Sequence, residues 1–124
     1  MTLKSKDSKL LSLQAVCTFV NGKVLTTADR ETPKIAKAFA SDLMSDVLML
    51  DSAHVLLITG LSNPQVIRTA EMSDINTVVV GRNKKCSSEM INLANECDIT
   101  LIESPYSVFK ISGILFQNGI EPIF

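Results

Sequence analysis

His54 is the only histidine in the chain, and with no second histidine and no adjacent cysteine it reads as a surface or strand-edge residue, not as a ligand or a base. Cysteine is scarce as well. Cys17, Cys86 and Cys97 are odd in number and lack C-x-x-C spacing, which argues against a disulfide framework, a zinc site or a redox pair; a reducing, cytoplasmic setting suits them. Neither sign of charge dominates. The net charge of −1 gives no general attraction to nucleic acid or to an acidic membrane, so a basic site has to be local, and Arg82-Asn83-Lys84-Lys85 is the one candidate cluster. No apolar run approaches the roughly 20 residues needed to span a bilayer. Leu10 to Val20, preceded by Lys4, Lys6 and Lys9, has the outline of a signal peptide, but Gln14 and two hydroxyl residues interrupt it and no small-residue cleavage site follows. G-x-x-x-x-G-K-S/T, G-x-G-x-x-G and G-x-S-x-G do not occur, so phosphate-transferring nucleoside triphosphatase chemistry, ordinary dinucleotide binding and a nucleophile elbow are not expected.

What the chain does have is a repeat. Val55-Leu56-Leu57-Ile58-Thr59, Thr77-Val78-Val79-Val80 and Ile99-Thr100-Leu101-Ile102 are short, rich in β-branched residues and bounded by turn residues, and each is followed by a helical pattern. Such runs read as strands buried on both faces of a parallel sheet with crossover helices. The junctions before the second and third strands resemble each other, Ala70-Glu71-Met72-Ser73-Asp74-Ile75 beside Ala94-Asn95-Glu96-Cys97-Asp98-Ile99. With 124 residues, 46% of them apolar and 20% charged, the chain is read as one globular domain.

Taken in order, Asp7 or Ser8 caps a first helix with Leu10, Leu13, Cys17 and Val20 on its apolar stripe, and Asn21-Gly22 stops it. Lys23 to Thr27 is a strand candidate and Thr27 to Thr32 a loop. Pro33 to Phe39 reads as a strand, although Ala36 and Ala38 suit a helix equally well. Ser41 caps a helix over Asp42 to Leu50, with Leu43, Val47 and Leu50 on one face and Asp42 in its first turn. Asn63 and Pro64 occupy N-cap and N1 of the next helix, which buries Val66, Ile67, Ala70 and Met72. Ser87 or Ser88 caps the helix that follows the second strand, with Met90, Ile91, Leu93 and Ala94 apolar. Ser104-Pro105 repeats the cap-then-proline device ahead of Val108, Phe109, Ile111, Leu115 and Phe116, and Asn118-Gly119 closes that helix. Ile120 to Phe124 either adds an edge strand or covers an interface.

In parallel β/α units the strand carboxyl ends and the helix amino ends share one sheet edge, so residues 60–64, 81–87 and 103–107 converge there. Helix amino ends favour anions. Ser62, Asn63, Ser104 and Ser107, joined by Ser87 and Tyr106, supply hydrogen-bonding groups, and Arg82, Lys84 and Lys85 supply charge. Helix capping and solvation explain the same residues without a ligand. No catalytic constellation accompanies them, since His54 enters its strand at the opposite end.

Three stretches carry a family resemblance: Ala40-Ser41-Asp42-Leu43-Met44-Ser45-Asp46-Val47, Leu56-Leu57-Ile58-Thr59-Gly60, and Asn63-Pro64-Gln65-Val66-Ile67-Arg68-Thr69-Ala70. They resemble DRTGG-domain proteins, most of all the short stand-alone members found beside iron-only hydrogenase genes and sometimes labelled iron-sulfur-binding hydrogenase. Ile91-Asn92-Leu93-Ala94, Leu101-Ile102-Glu103-Ser104 and Phe109-Lys110-Ile111-Ser112-Gly113-Ile114-Leu115 fit the same pattern, so the likeness runs from about Leu10 to Ile120. The letters that name the family are replaced here by Gly60-Leu61-Ser62, by Gly81 followed by Arg82, and by Ser104-Pro105-Tyr106-Ser107. The resemblance implies a three-layer α/β/α fold similar to the HPr kinase amino-terminal domain, with a largely parallel sheet of about five strands. It also implies a homodimer serving as a regulatory or assembly module, with no established activity.

Three functional expectations follow. The first is a non-catalytic, homodimeric regulatory or assembly domain whose partner is an iron-only hydrogenase subunit or another electron-transfer complex; Met44, Leu48, Met49, Ile123 and Phe124 are its interface candidates, unless the methionines only fill core gaps. The second is a sensor holding a nucleotide or other small anion at Ser62, Asn63, Arg82, Lys84, Ser104 and Ser107. The third, an iron-sulfur-binding accessory protein, meets the difficulty that a cluster wants four thiolates and this chain has three cysteines. No cofactor, nucleic-acid partner or membrane partner is expected.

Overall fold

The computed structural model describes residues 10–27, 33–50 and 53–124. The elements are β1 (Leu11–Ser12), α1 (Leu13–Val20), β2 (Lys23–Val24), β3 (Lys34–Ile35), β4 (Lys37–Ala40), α2 (Met44–Val47), β5 (Val55–Thr59), α3 (Pro64–Met72), β6 (Thr77–Val80), α4 (Ser88–Glu96), β7 (Thr100–Glu103), α5 (Val108–Gln117) and β8 (Glu121–Pro122). Six strands form the main sheet in the order β2-β7-β6-β5-β4-β8; β2 runs antiparallel to β7 and every other pairing is parallel. β1 and β3 pair antiparallel as a separate ribbon. The tail supplies the sixth strand, which settles its choice in favour of an edge strand.

The β-branched runs form the sheet centre because alternate side chains feed two cores. Val55, Leu57, Val78, Val80 and Leu101 pack with α2, α3 and α4 on one face, while Leu56, Ile58, Val79 and Ile102 pack with α1 and α5 on the other. The result is the three-layer α/β/α architecture expected. No helix among the described residues is long and apolar enough to cross a membrane.

Several boundaries differ from the sequence reading. α1 begins at Leu13, and its cap is Ser12, whose Oγ accepts the Ala15 N–H at 3.1 Å; Asp7 and Ser8 lie outside the described residues, as does most of the Thr27–Thr32 loop. Asn21 ends α1 in the left-handed region, as the Asn-Gly signal implies. The helix expected over Asp42–Leu50 shrinks to Met44–Val47, because Ser41 turns back to accept the Leu43 N–H at 2.9 Å and Asp42 is drawn towards β5. Leu43 is exposed, whereas Val47 and Leu50 are buried. Met72, Phe109 and Phe116, expected in the core, are 73%, 87% and 66% exposed. The cap of α5 is Ser107, not Ser104.

Candidate functional site

Parallel pairing of β5, β6 and β7 sets their carboxyl-end loops side by side, and backbone hydrogen bonds tie them together. Gly81 N–H donates to Thr59 at 2.8 Å, Arg82 N–H to Tyr106 at 2.7 Å and Asn83 N–H to Ser104 at 3.1 Å. The last two bonds require Arg82 and Asn83 to sit at φ 64° and 56°, a left-handed pair that costs energy in residues other than glycine. Gly81 permits the approach. A Cβ there would lie 2.9 Å from the Tyr106 carbonyl oxygen.

Asp42 stands between the first two loops. Its Oδ1 accepts the Thr59 hydroxyl at 2.8 Å and the Gly60 N–H at 2.7 Å. The Gly60 bond leads in holding its carboxyl below the usual range and is opposed in part by burial; the Thr59 bond and the charges of Arg82 and Lys84 add smaller effects in the lowering direction. The Arg82 side chain crosses Gly60, its Cδ lying 2.6 Å from where a Cβ would stand. A second carboxylate, Glu103, accepts the Cys86 N–H at 2.7 Å and lies 3.8 Å from the exposed Lys85 ammonium. Internal carboxylates therefore offset part of the positive charge at this edge. Asp42 was legible only as a helix-end acid; its role depends on the β4–β5 pairing, which brings the Ser41-Asp42 turn to the same sheet edge.

All six expected residues fall on these three loops, with different tasks. Asn63 and Ser107 cap α3 and α5, accepting the Val66 and Lys110 N–H groups at 3.3 and 3.0 Å. Ser104 is buried; its hydroxyl donates to the Val20 carbonyl at 2.7 Å and accepts the Tyr106 N–H at 3.1 Å, so α1, β7 and the α5 approach meet on one side chain. Ser62 is half-buried, and Arg82 and Lys84 are exposed. Tyr106 carries the Lys110 ammonium over its ring, 3.8 Å from the centroid. The Thr59 hydroxyl facing Asp42 is buried and also accepts the Leu61 N–H at 3.2 Å, which makes it a structural link. His54 lies at the other end of β5, with its Nδ1 3.3 Å from the Lys34 carbonyl oxygen.

The thiols do not fit an iron-sulfur cluster. Cys17 packs with the α1/α5 core, whereas Cys86 and Cys97 pack with the core on the opposite face of the sheet. Burial, reinforced by Glu103, pushes the Cys86 thiol up to about 12.

The sequence matches no family model and no curated protein. Its fold does match a solved structure, that of the CBS and DRTGG domains of the regulatory region of Clostridium perfringens pyrophosphatase complexed with its activator, diadenosine tetraphosphate. The TM-score is 0.74 at 18% sequence identity, over 92% of this chain. The chain spans about half of that structure, 49% of its length. The fold is therefore DRTGG-like, as the resemblance of its letters implies.

Proposed function

We propose that this chain is a regulatory domain without catalysis of its own, which acts as a homodimer and presents an assembly surface to a partner protein. The observation that carries this reading is an apolar groove of about 380 Å³ between α5 and the β4–β8 edge of the sheet. β4 lays the small side chains of Ala38 and Ala40 where a fuller core would have branched ones, and Ser112 and Gly113 of α5 are equally small. Phe109 and Phe116 stand two helical turns apart at this groove, largely exposed. Exposed aromatics beside a recess mark interaction sites. The pattern also suits a second copy: an antiparallel α5 would seat its phenylalanines against Gly113 while receiving the first copy's in return, the reciprocity of a two-fold interface. Sedimentation equilibrium tests it. The wild-type chain is expected as a dimer at micromolar concentration, and Phe109→Ser combined with Phe116→Ser as a folded monomer; a wild-type monomer would contradict the reading.

A ligand-sensing function at the carboxyl edge is the second reading, favoured by the exposed pair Arg82 and Lys84 on a left-handed loop locked to its neighbours. The similar pyrophosphatase region takes a nucleotide activator. Here Ser62, Arg82 and Lys84 would contact a nucleotide's phosphates, with Asn63, Ser104 and Ser107 shaping the loops. Diadenosine tetraphosphate is then expected to raise the melting temperature of the wild type and not of Arg82→Glu; absence of any shift counts against the site. An iron-only hydrogenase, or another electron-transfer complex, belongs to the first reading as the partner that the sequence resemblance implies. Since the three thiols do not converge, that association is expected to use protein surface and not shared iron.

A further inference from the structure

The helical layer on the far side of the sheet from α5 presents a second apolar surface, which a pairing through α5 leaves free. Val47 of α2 is buried and so is Leu50 after it, while Leu48 and Met49 between them turn outward, 46% and 79% exposed. α3 buries Val66, Ile67 and Ala70, and Met72 at its end is 73% exposed. The two helix ends are fixed together: the Ser73 hydroxyl donates to the Val47 carbonyl at 3.1 Å. Leu48 and Met72 share one recess of about 730 Å³, which Leu50, Ala53, Ser73 and Asp74 also line.

The charge around this patch is one-sided. α2, α3 and α4 carry Asp46, Glu71, Glu89 and Glu96, all exposed, against a single cation, Arg68, and Asp74 adds a carboxylate in the recess itself. On the other face of the sheet α1 and α5 contain no carboxylate, and their one charged side chain is Lys110. The imbalance is a property of this layer, since the chain as a whole is nearly neutral at −1.

An apolar patch set among carboxylates selects its partner by both properties. A second copy is a poor match, because a two-fold contact would set the acidic side chains against their own images. Nucleic acid and an anionic membrane are repelled for the same reason. Methionine and leucine adapt to apolar anchors of varying shape, and the exposed carboxylates beside them pair with cations at the rim. We propose that this α2–α3 face docks a basic amphipathic helix of a partner protein, its apolar stripe over Leu48, Met49 and Met72 and its Lys or Arg side chains facing Asp46, Glu71 and Asp74.

Fluorescence anisotropy of a labelled amphipathic helical peptide of leucine and lysine, titrated with the full chain, tests the proposal. Saturable binding is expected, weakening as salt screens the rim contacts. Met49→Ser combined with Met72→Ser is expected to weaken it about tenfold or more, and Asp46→Asn combined with Asp74→Asn to weaken it several-fold and flatten its salt dependence. All four positions are exposed, and asparagine tolerates the left-handed backbone of Asp74, so both variants keep the wild-type melting temperature. Phe109→Ser combined with Phe116→Ser is expected to bind the peptide as the wild type does, which separates this surface from the pairing through α5. Absence of saturable binding, equal binding of a peptide whose residues are scrambled out of helical period, or undiminished binding by the double methionine variant would overturn the proposal.

Discussion

A single carboxylate organises the carboxyl edge. Asp42 is exposed, yet its two hydrogen bonds to Thr59 and Gly60 favour the ionised form, and the direction of its shift fixes a pH dependence. A carboxyl whose folded value is lowered stabilises the fold above its unfolded value, near pH 4, and that contribution disappears as pH falls through the folded value. Urea unfolding of Asp42→Asn is therefore expected to show a flatter loss of stability in acid than the wild type, with a difference of no more than about 1 kcal/mol because solvent screens the group. Identical acid limbs would show that the Gly60 and Thr59 bonds do not discriminate between the two forms.

At the level of elements, two serines three residues apart divide the labour that Ser104 alone was expected to perform. Ser104 links the end of α1 to the β7–α5 connection from inside the core, and Ser107 caps α5 from its surface. Ser104→Ala is expected to cost about 2 kcal/mol, since it strands a buried carbonyl and an N–H, and Ser107→Ala about 1 kcal/mol, the usual worth of a cap. Denaturant midpoints measure both, and the reverse ranking would mean that Ser104 is the working cap. The Ser-Pro pair was misleading because local cap chemistry cannot see that the residue following β7 is still inside the core. The strands themselves were legible: residues buried on both faces leave an unmistakable β-branched run. Asn63-Pro64 was legible for the converse reason, because that cap is purely local. α5 was legible as a helix but not in its orientation. Ile111 with Leu115, and Phe109 with Phe116, each form a helical stripe, and only packing against Ile58 and Val79 decides which one faces the sheet. α2 fell short of its expected length because Asp42, which would have opened it, is bound across the sheet edge instead.

On the scale of the whole molecule, the three surfaces differ in character because the fold sorts them. Parallel crossovers point helix amino ends, with Arg82, Lys84 and Lys85, at one edge of the sheet, and helix carboxyl ends, with Asp74 and Asp98, at the other. The two edges nearly cancel, consistent with a net charge of −1. The β8 side is different again: a two-residue strand containing Pro122 ends the sheet, and Phe109 and Phe116 of α5 stay largely exposed beside it. The earlier interface candidates divide accordingly. Met44 and Ile123 pack onto the core, Leu48 and Met49 are exposed, and Phe124 is exposed while its ring meets Phe39 edge-on at 6.0 Å. A pairing through α5 would use none of these as its centre, which makes the surface itself testable.

Gly113 provides that test. Nothing lies within 4 Å of a Cβ placed there, so Gly113→Cys fits the folded chain, and a two-fold crossing of α5 with its copy would bring the two thiols within disulfide reach. Mild oxidation of Gly113→Cys, followed by electrophoresis without reductant, is expected to give a covalent dimer, whereas Met49→Cys on the far layer stays monomeric. A Gly113→Cys chain that cross-links no more than the Met49→Cys control would contradict assembly through this face.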